Sequence, residues 1–399
     1  MPKLRVYRQV SIPDELRISR YRKTPELGPR LLFFSGGSAL TEFSKVLKNY
    51  THNSIHLVTP FDSGGSSAKL RDAFKMPAIG DLRSRLMALA DETVLGHPEI
   101  YELFSYRLPE NKSQQLLKQR LKNIVNGNDP LVDEIANPMR KLICNYLGYF
   151  VQSMPDNFDL QGASIGNLII TGGYHNNHEE LDPIIFLFSK LANVLGIVRT
   201  TTNDDYHLSA TLADNSTITG QHLLTGKEVA PLHSAITKLY LTKDLTASDP
   251  QPITAKLKKQ NRKLIEQADL ICYPPGSFYS SLIANLLPSG VGKAIESNDC
   301  PKIYIPNMGD DPEQLGMSLG ESITTLLSYL RQDLGEYTPT NKLLNLLLVD
   351  SKNIHYPGGI PYNLLTKLGI EIIDIKLLDK KNTKYYDNKR MVATLLSLT

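Results

Sequence analysis

Three short apolar runs in this 399-residue chain each stop at a cluster of small residues, and no other feature constrains the fold as much. Residues 31–34 run into Ser35-Gly36-Gly37-Ser38, and residues 55–59 into Pro60-Phe61-Asp62-Ser63-Gly64-Gly65-Ser66-Ser67. Residues 270–273 run into Pro274-Pro275-Gly276-Ser277. Four or five apolar residues without alternation suit a strand buried on both faces. After the first loop Leu40, Phe43 and Leu47 recur at helical spacing; Leu82, Leu86 and Leu89 do so after the second. Strand, small-residue turn and helix in succession predict βαβ units, hence an α/β fold with a mostly parallel sheet and right-handed crossovers.

The rest of the chain fills in around that frame. Residues 93–160 read as an inserted helical lobe, and 183–195 as another helix. Residues 208–213 and 217–221 flank Asp214-Asn215-Ser216, which predicts a small β-hairpin. Residues 244–262 read as a polar linker. Further strands are expected at 302–306, 346–349 and 370–375, with helices around 314–331 and 362–368. Residues 1–30 read as an irregular basic leader, so the main domain is expected to span 31–399. That leader holds eight of the 44 basic residues and three of the 41 acidic ones, which leaves the body at −2. A nearly neutral body lacks the electrostatic footprint of a nucleic-acid binder. Charged residues at 21% and hydrophobic residues at 41% exclude disordered and coiled-coil readings. Cys144, Cys272 and Cys300 match no zinc or redox spacing, and a sparse, odd count fits a reducing compartment. No apolar signal segment opens the chain, and Pro274, Pro275 and Pro288 break its longest uncharged stretch. The expectation is a cytoplasmic protein without a membrane span.

Loops at the carboxyl ends of parallel strands share one edge, and ligands bind there. Glycine lets the backbone approach a ligand, and N–H groups at a helix start attract phosphate. The alternative for each loop is a tight turn with no ligand. The first loop lacks the third glycine of G-x-G-x-x-G, and no Lys-Ser/Thr follows, so neither a dinucleotide fingerprint nor a P-loop is supported. Lys69, Arg71, Arg83 and Arg85 lie near the second loop; a guanidinium there either clamps phosphate or sits on a solvated face. Asp81 is either a helix cap or a carboxylate that orients a hydroxyl or helps to hold Mg²⁺. Asp62 is either an Asx-turn residue or an acceptor for a ribose hydroxyl or a proton. Gly162-Ala163-Ser164-Ile165-Gly166 has the G-x-S-x-G spacing, but the polar 154–161 stretch before it is no buried strand. Ser164 and Asn167 then offer polar contacts at a helix start. His175 and His178 suggest no third metal ligand, and His207 beside Asp204 and Asp205 reads either as a buried contact or as a ligand group.

In combination, Phe34-Ser35-Gly36-Gly37-Ser38, the Asp62 to Arg71 run, Pro77-Ala78-Ile79-Gly80-Asp81-Leu82-Arg83, Gly162 to Leu168, Pro275 to Ser281 and Ile305-Pro306-Asn307-Met308 resemble the 2-phospho-L-lactate transferase and gluconeogenesis factor superfamily. The resemblance spans about residues 31–335. It implies a Rossmann-like sheet with helices on both faces, a homodimer, Mg²⁺ and a GDP- or UDP-linked small-molecule ligand. One branch transfers a phospholactyl-type group to an acceptor hydroxyl; the other binds nucleotide sugars and regulates. By resemblance, the catalytic residues are Asp81 and Asp62. The ligand contacts are Gly36, Gly37, Ser38, Ser66, Ser67, Lys69, Arg71, Arg83, Ser164, Asn167, Gly276 and Ser277. Where the superfamily has Gly-Gly-Thr-Gly, this chain has Gly36-Gly37-Ser38-Ala39, and its second loop with Gly80-Asp81-Leu82-Arg83 is closer to the regulatory branch. The leading expectation is a transferase, and its rival is a non-catalytic metabolite sensor.

Overall fold

The centre of the molecule is β1 (Leu31–Ser35), buried at all five positions. Each of its leucines and phenylalanines contributes about 1.5–3 kcal/mol by leaving water. A computed structural model describes residues 9–226, 229–309, 311–378 and 385–399. On one side of β1 lie β2 (Ile55–Val58) and then β3 (Ile197–Thr200). On its other side lie β7 (Leu270–Tyr273), β8 (Lys302–Tyr304), β9 (Leu346–Val349) and β10 (Glu371–Asp374). All seven strands are parallel. The chain therefore winds outward through β2 and β3, returns to the centre and winds outward again. That reversal leaves a crevice at the carboxyl ends of β1 and β7, where ligands bind in open α/β sheets.

Helices α1 (Glu15–Lys23), α2 (Thr41–Leu47), α3 (Gly65–Phe74) and α4 (Gly80–Leu89) belong to the first half. Then come α5 (Pro98–Ser105), α6 (Gln114–Val125), α7 (Pro130–Asp133), α8 (Met139–Ser153), α9 (Ile165–Asn176) and α10 (Leu181–Leu191). These last six build a second core, with Phe104, Leu121, Leu147, Phe150, Ile165 and Phe188 buried together. The predicted hairpin is present as β4 (His207–Leu212) and β5 (Thr217–Thr219). A third antiparallel strand, β6 (Ile236–Thr242), extends it. The strand was missed because Lys238 interrupts an already short alternation.

Residues 15–23 are not irregular: Asp14 caps α1, accepting from the Arg17 N–H at 3.0 Å. Its polar sequence buries only Ile18, so no apolar periodicity announced the helix. The C-terminal helix Asn388–Ser397 holds it in place. Ser397 Oγ accepts from the Asp14 N–H at 2.8 Å, and Arg17 donates to the Ser397 carbonyl at 3.2 Å. Residues 1–8 of the leader lie outside the described residues. The linker reading of 244–262 is also corrected, since Lys259–Glu266 is a helix. Its buried Asn261 donates to the carbonyls of Thr200 and Thr201 and ties that segment to the end of β3.

Candidate functional site

The three small-residue loops meet on one rim. A Cβ placed on Gly36 would lie 2.5 Å from Ser281 Oγ, just past the third loop, and 3.2 Å from Asp81 Oδ2. One placed on Gly276 would lie 3.1 Å from the Cβ of Ala39. One on Gly80 would lie 2.7 Å from Ser67 Oγ and 3.6 Å from Asp62 Oδ2. The buried Asn285 ties these ends together, donating to the Ser35 carbonyl at 3.0 Å and accepting from Thr201 Oγ1.

The first loop is shaped from α4. Asp81 and Arg85, one turn apart, both reach it. Arg85 is fully buried and donates to the carbonyls of Gly36 and Gly37 at 3.0 and 3.2 Å and to Ser44 Oγ at 2.6 Å. In a trans peptide C=O and N–H point opposite ways. The Gly37 and Ser38 amides are thereby turned away from Arg85. Burial pushes the Arg85 pKa down to about 10, opposed by the Asp81 charge. Asp81 packs so closely on Gly37 that any Cβ there would overlap its carboxylate. It is not the cap of α4, because Ile79 holds that position.

In the second loop, Asp62 Oδ1 accepts from the Gly64 N–H at 3.0 Å, the Asx-turn alternative. Ser63 is buried, and its hydroxyl is 2.8 Å from His222 Nδ1 on the short helix Gln221–Leu224. The His222 N–H also donates to Ser63 Oγ, at 3.3 Å. The short helix after β5 thus clamps the second loop through a residue that sequence reasoning missed. Arg71 is not an open phosphate clamp. It is 4% exposed, pairs with Asp205 at 2.7 Å and donates to the carbonyls of Asp62 and Tyr206. Burial, with the Arg71 charge nearby, brings the pKa of the half-buried His207 down to about 4, so His207 is a neutral contact of Arg71.

The third loop is already supplied with acceptors. Gly276 N–H donates to Asn307 Oδ1 at 2.7 Å, and Phe278 N–H to Asp311 Oδ2 at 2.7 Å. The Tyr279 and Ser280 amides donate to Glu313 Oε2 at 2.8 and 2.7 Å. Glu313 is 1% exposed, and burial beside Asp311 pushes its pKa well up. Most main-chain donors expected to cradle phosphate here hold the protein's own side chains. Gly276 and Ser277 stay half-buried at the rim, and Ser38 is exposed.

The remaining expected contacts gather in an adjoining cavity of about 330 Å³, which Ser66, Lys69, Ser164 and Asn167 line. Arg83 stands just behind it, with its Cδ 3.0 Å from where a Cβ on Gly166 would be. Burial and then the Arg107 charge lower the Arg83 pKa to about 10. Its Nε has no hydrogen-bond partner among the described residues.

Residues 31–378 match the family described as 2-phospho-L-lactate transferase CofD. The chain belongs to this family. A putative gluconeogenesis factor from Nostoc is 29% identical over 300 residues, which is 75% of this chain and 52% of that relative. The chain therefore spans about half of that protein. The gluconeogenesis factor of Bacillus subtilis is 26% identical over 386 residues, with 92% of this chain and 97% of the relative covered. A crystal structure of a UPF0052 family member from Bacillus halodurans superposes with a TM-score of 0.65 at 22% identity, over 92% of this chain and 99% of that one. At that identity the likeness speaks for the fold alone.

In this CofD family member Ser164 is no nucleophile elbow. It caps α9, is 1% exposed, and follows a loop. His175 packs against Phe74 with the rings tilted by 52°, and burial lowers its pKa. No cluster of three metal-ligating side chains occurs among the described residues. No helix among them is long and apolar enough to cross a membrane.

Proposed function

We propose that this CofD family member binds a metabolite carried on a nucleoside diphosphate at the β1/β7 rim and acts as a regulator of the gluconeogenesis-factor type. The observation that carries this reading is the state of the arginines. Phosphoryl transfer depends on cations that neutralise charge on the leaving phosphate. Arg71 and Arg85 are both buried and committed to Asp205 and to loop carbonyls, and Arg83, whose Nε has no partner among the described residues, is packed behind the adjoining cavity at Gly166. The exposed Ser38 and the half-buried Ser66 and Ser277 remain, which suit binding without turnover. The names of the Nostoc and Bacillus subtilis relatives favour the same reading. In it the protein is cytoplasmic and homodimeric.

A second reading, transfer of a phospholactyl-type group to an acceptor hydroxyl, draws on the family description and on Asp81 beside Gly37. Asp81 and Asp62 would then hold Mg²⁺, which takes one or two carboxylates plus substrate phosphates. The ion would supply the missing positive charge. Thermal-shift titration with GDP, UDP and their sugar conjugates, with and without Mg²⁺, tests the binding. The expected result is stabilisation by the conjugates and no GMP released from a guanosine-linked donor. GMP release that disappears in Asp81→Asn would restore the transferase reading.

A further inference from the structure

The cavity beside the rim holds an unusual side chain. Asn167 is 1% exposed, lies in the first turn of α9, and lines the cavity wall. Neither its Nδ2 nor its Oδ1 has a hydrogen-bond partner among the described residues. A buried amide without partners costs about 1–3 kcal/mol, so a fold that keeps one invites a ligand that supplies both a donor and an acceptor. A hydroxyl does so, and a phosphate or carboxylate, which only accepts, does not.

The lining agrees with a hydroxylated guest. Lys69 and Arg107 bring two positive charges; Asp159 and Glu110 bring two negative ones. Lys69 and Asp159 are paired at 2.5 Å, and that hydrogen bond lowers the Asp159 pKa. Arg107 donates to the Gly162 carbonyl at 3.0 Å. The charges that line it balance, Lys69 and Arg107 are each already engaged, and Arg83 stands behind the wall at Gly166, so the wall favours a neutral group over an anion. Phe158 and Leu168 give it an apolar side against which a ring can lie. At about 330 Å³ the space equals roughly eleven waters at about 30 Å³ each, enough for a six-membered ring with its hydroxyls. Gly65 and Ser66 form part of the wall, and they belong to the same loop as Ser67 and Asp62 at the rim.

We propose that this cavity receives the neutral, hydroxylated ring of the ligand, with Asn167 reading one of its hydroxyls as donor and acceptor at once. The proposal rests on the nucleotide-linked reading above and assigns the non-nucleotide half of that ligand to the cavity. Calorimetric titration of UDP against UDP-glucose, and of GDP against GDP-mannose, measures what the ring adds. The wild-type protein is expected to bind the better conjugate roughly tenfold more tightly than its bare diphosphate, the scale of one well-made buried hydrogen-bond pair. Asn167→Leu keeps the volume and removes both polar atoms. Lys69→Met removes a cavity-lining ammonium at an exposed position and its pairing with Asp159, and it guards against a folding defect in the first variant. Both should bind the bare diphosphate as the wild type does and lose most of the ring's advantage. A ring that adds nothing in the wild type, or an advantage untouched in both variants, overturns the cavity assignment while leaving nucleotide binding intact. Failure of all four compounds to bind the wild type overturns the nucleotide reading itself, and the assignment with it.

Discussion

Gly37 carries much of the geometry of the rim because it has no side chain. Asp81 lies where a Cβ would stand, so Gly37→Ala must push the carboxylate or the loop aside. Overpacking of this kind costs about 1–3 kcal/mol. Urea unfolding should show that loss, and in an Asp81→Ala background it should shrink, because the two positions share one space. Equal losses in both backgrounds would mean that Gly37 matters for another reason. His222 acts on Ser63 in a similarly local way, through two hydrogen bonds. His222→Ala should cost about 1 kcal/mol of stability on the same assay. The sequence marked Gly37 as part of a small-residue loop at a strand end, and Asp81 as a carboxylate at the start of a helix near the expected ligand edge. It could not separate Arg85 from Lys69, Arg71 and Arg83, since four basic residues in one stretch look alike until burial sorts them.

Between elements, the clasp of α1 against Asn388–Ser397 joins the two ends of the described chain. Leu395 is fully buried in the core that also contains Phe43 and Leu47 of α2, the helix leaving the first loop. Leu395→Ala should lower stability by about 2–5 kcal/mol. Leu16→Ala, at a 64% exposed position of α1, should stay within about 0.5 kcal/mol of wild type. A denaturation midpoint series reads both, and a costly Leu16→Ala would point to a partner on that face. The seven strands of the parallel sheet were easier to read than the helices at the ends. Six of them announced themselves as apolar runs, and β3 was lost because Arg199 sits inside its four residues. Helix α1 carries little periodicity, and its partner lies more than 300 residues away.

Across the molecule, the fully buried His56 gives stability a component that depends on acid. His56 is fully buried on β2, stacked on Phe33, and burial with the nearby Arg85 charge holds its pKa well below 6.5. The unfolded chain then binds a proton there that the native state refuses. Stability should therefore fall as pH drops below about 6.5, by up to about 1.4 kcal/mol per pH unit from this residue. His56→Phe should remove that share of the slope; an unchanged profile from pH 6.5 to 5 would assign the acid sensitivity elsewhere. What the amino-acid order determined by itself was the alternation of buried strands, small-residue loops and helices, and with it the parallel sheet and the edge where its loops emerge. Those are consequences of local polarity and chain stiffness, which any short window displays. Only the tertiary structure decided which donors along that edge are spent. Whether Arg71 meets Asp205, whether the third-loop amides meet Glu313, and whether Asn167 meets nothing depend on groups brought together from distant segments, and no window of sequence contains both partners.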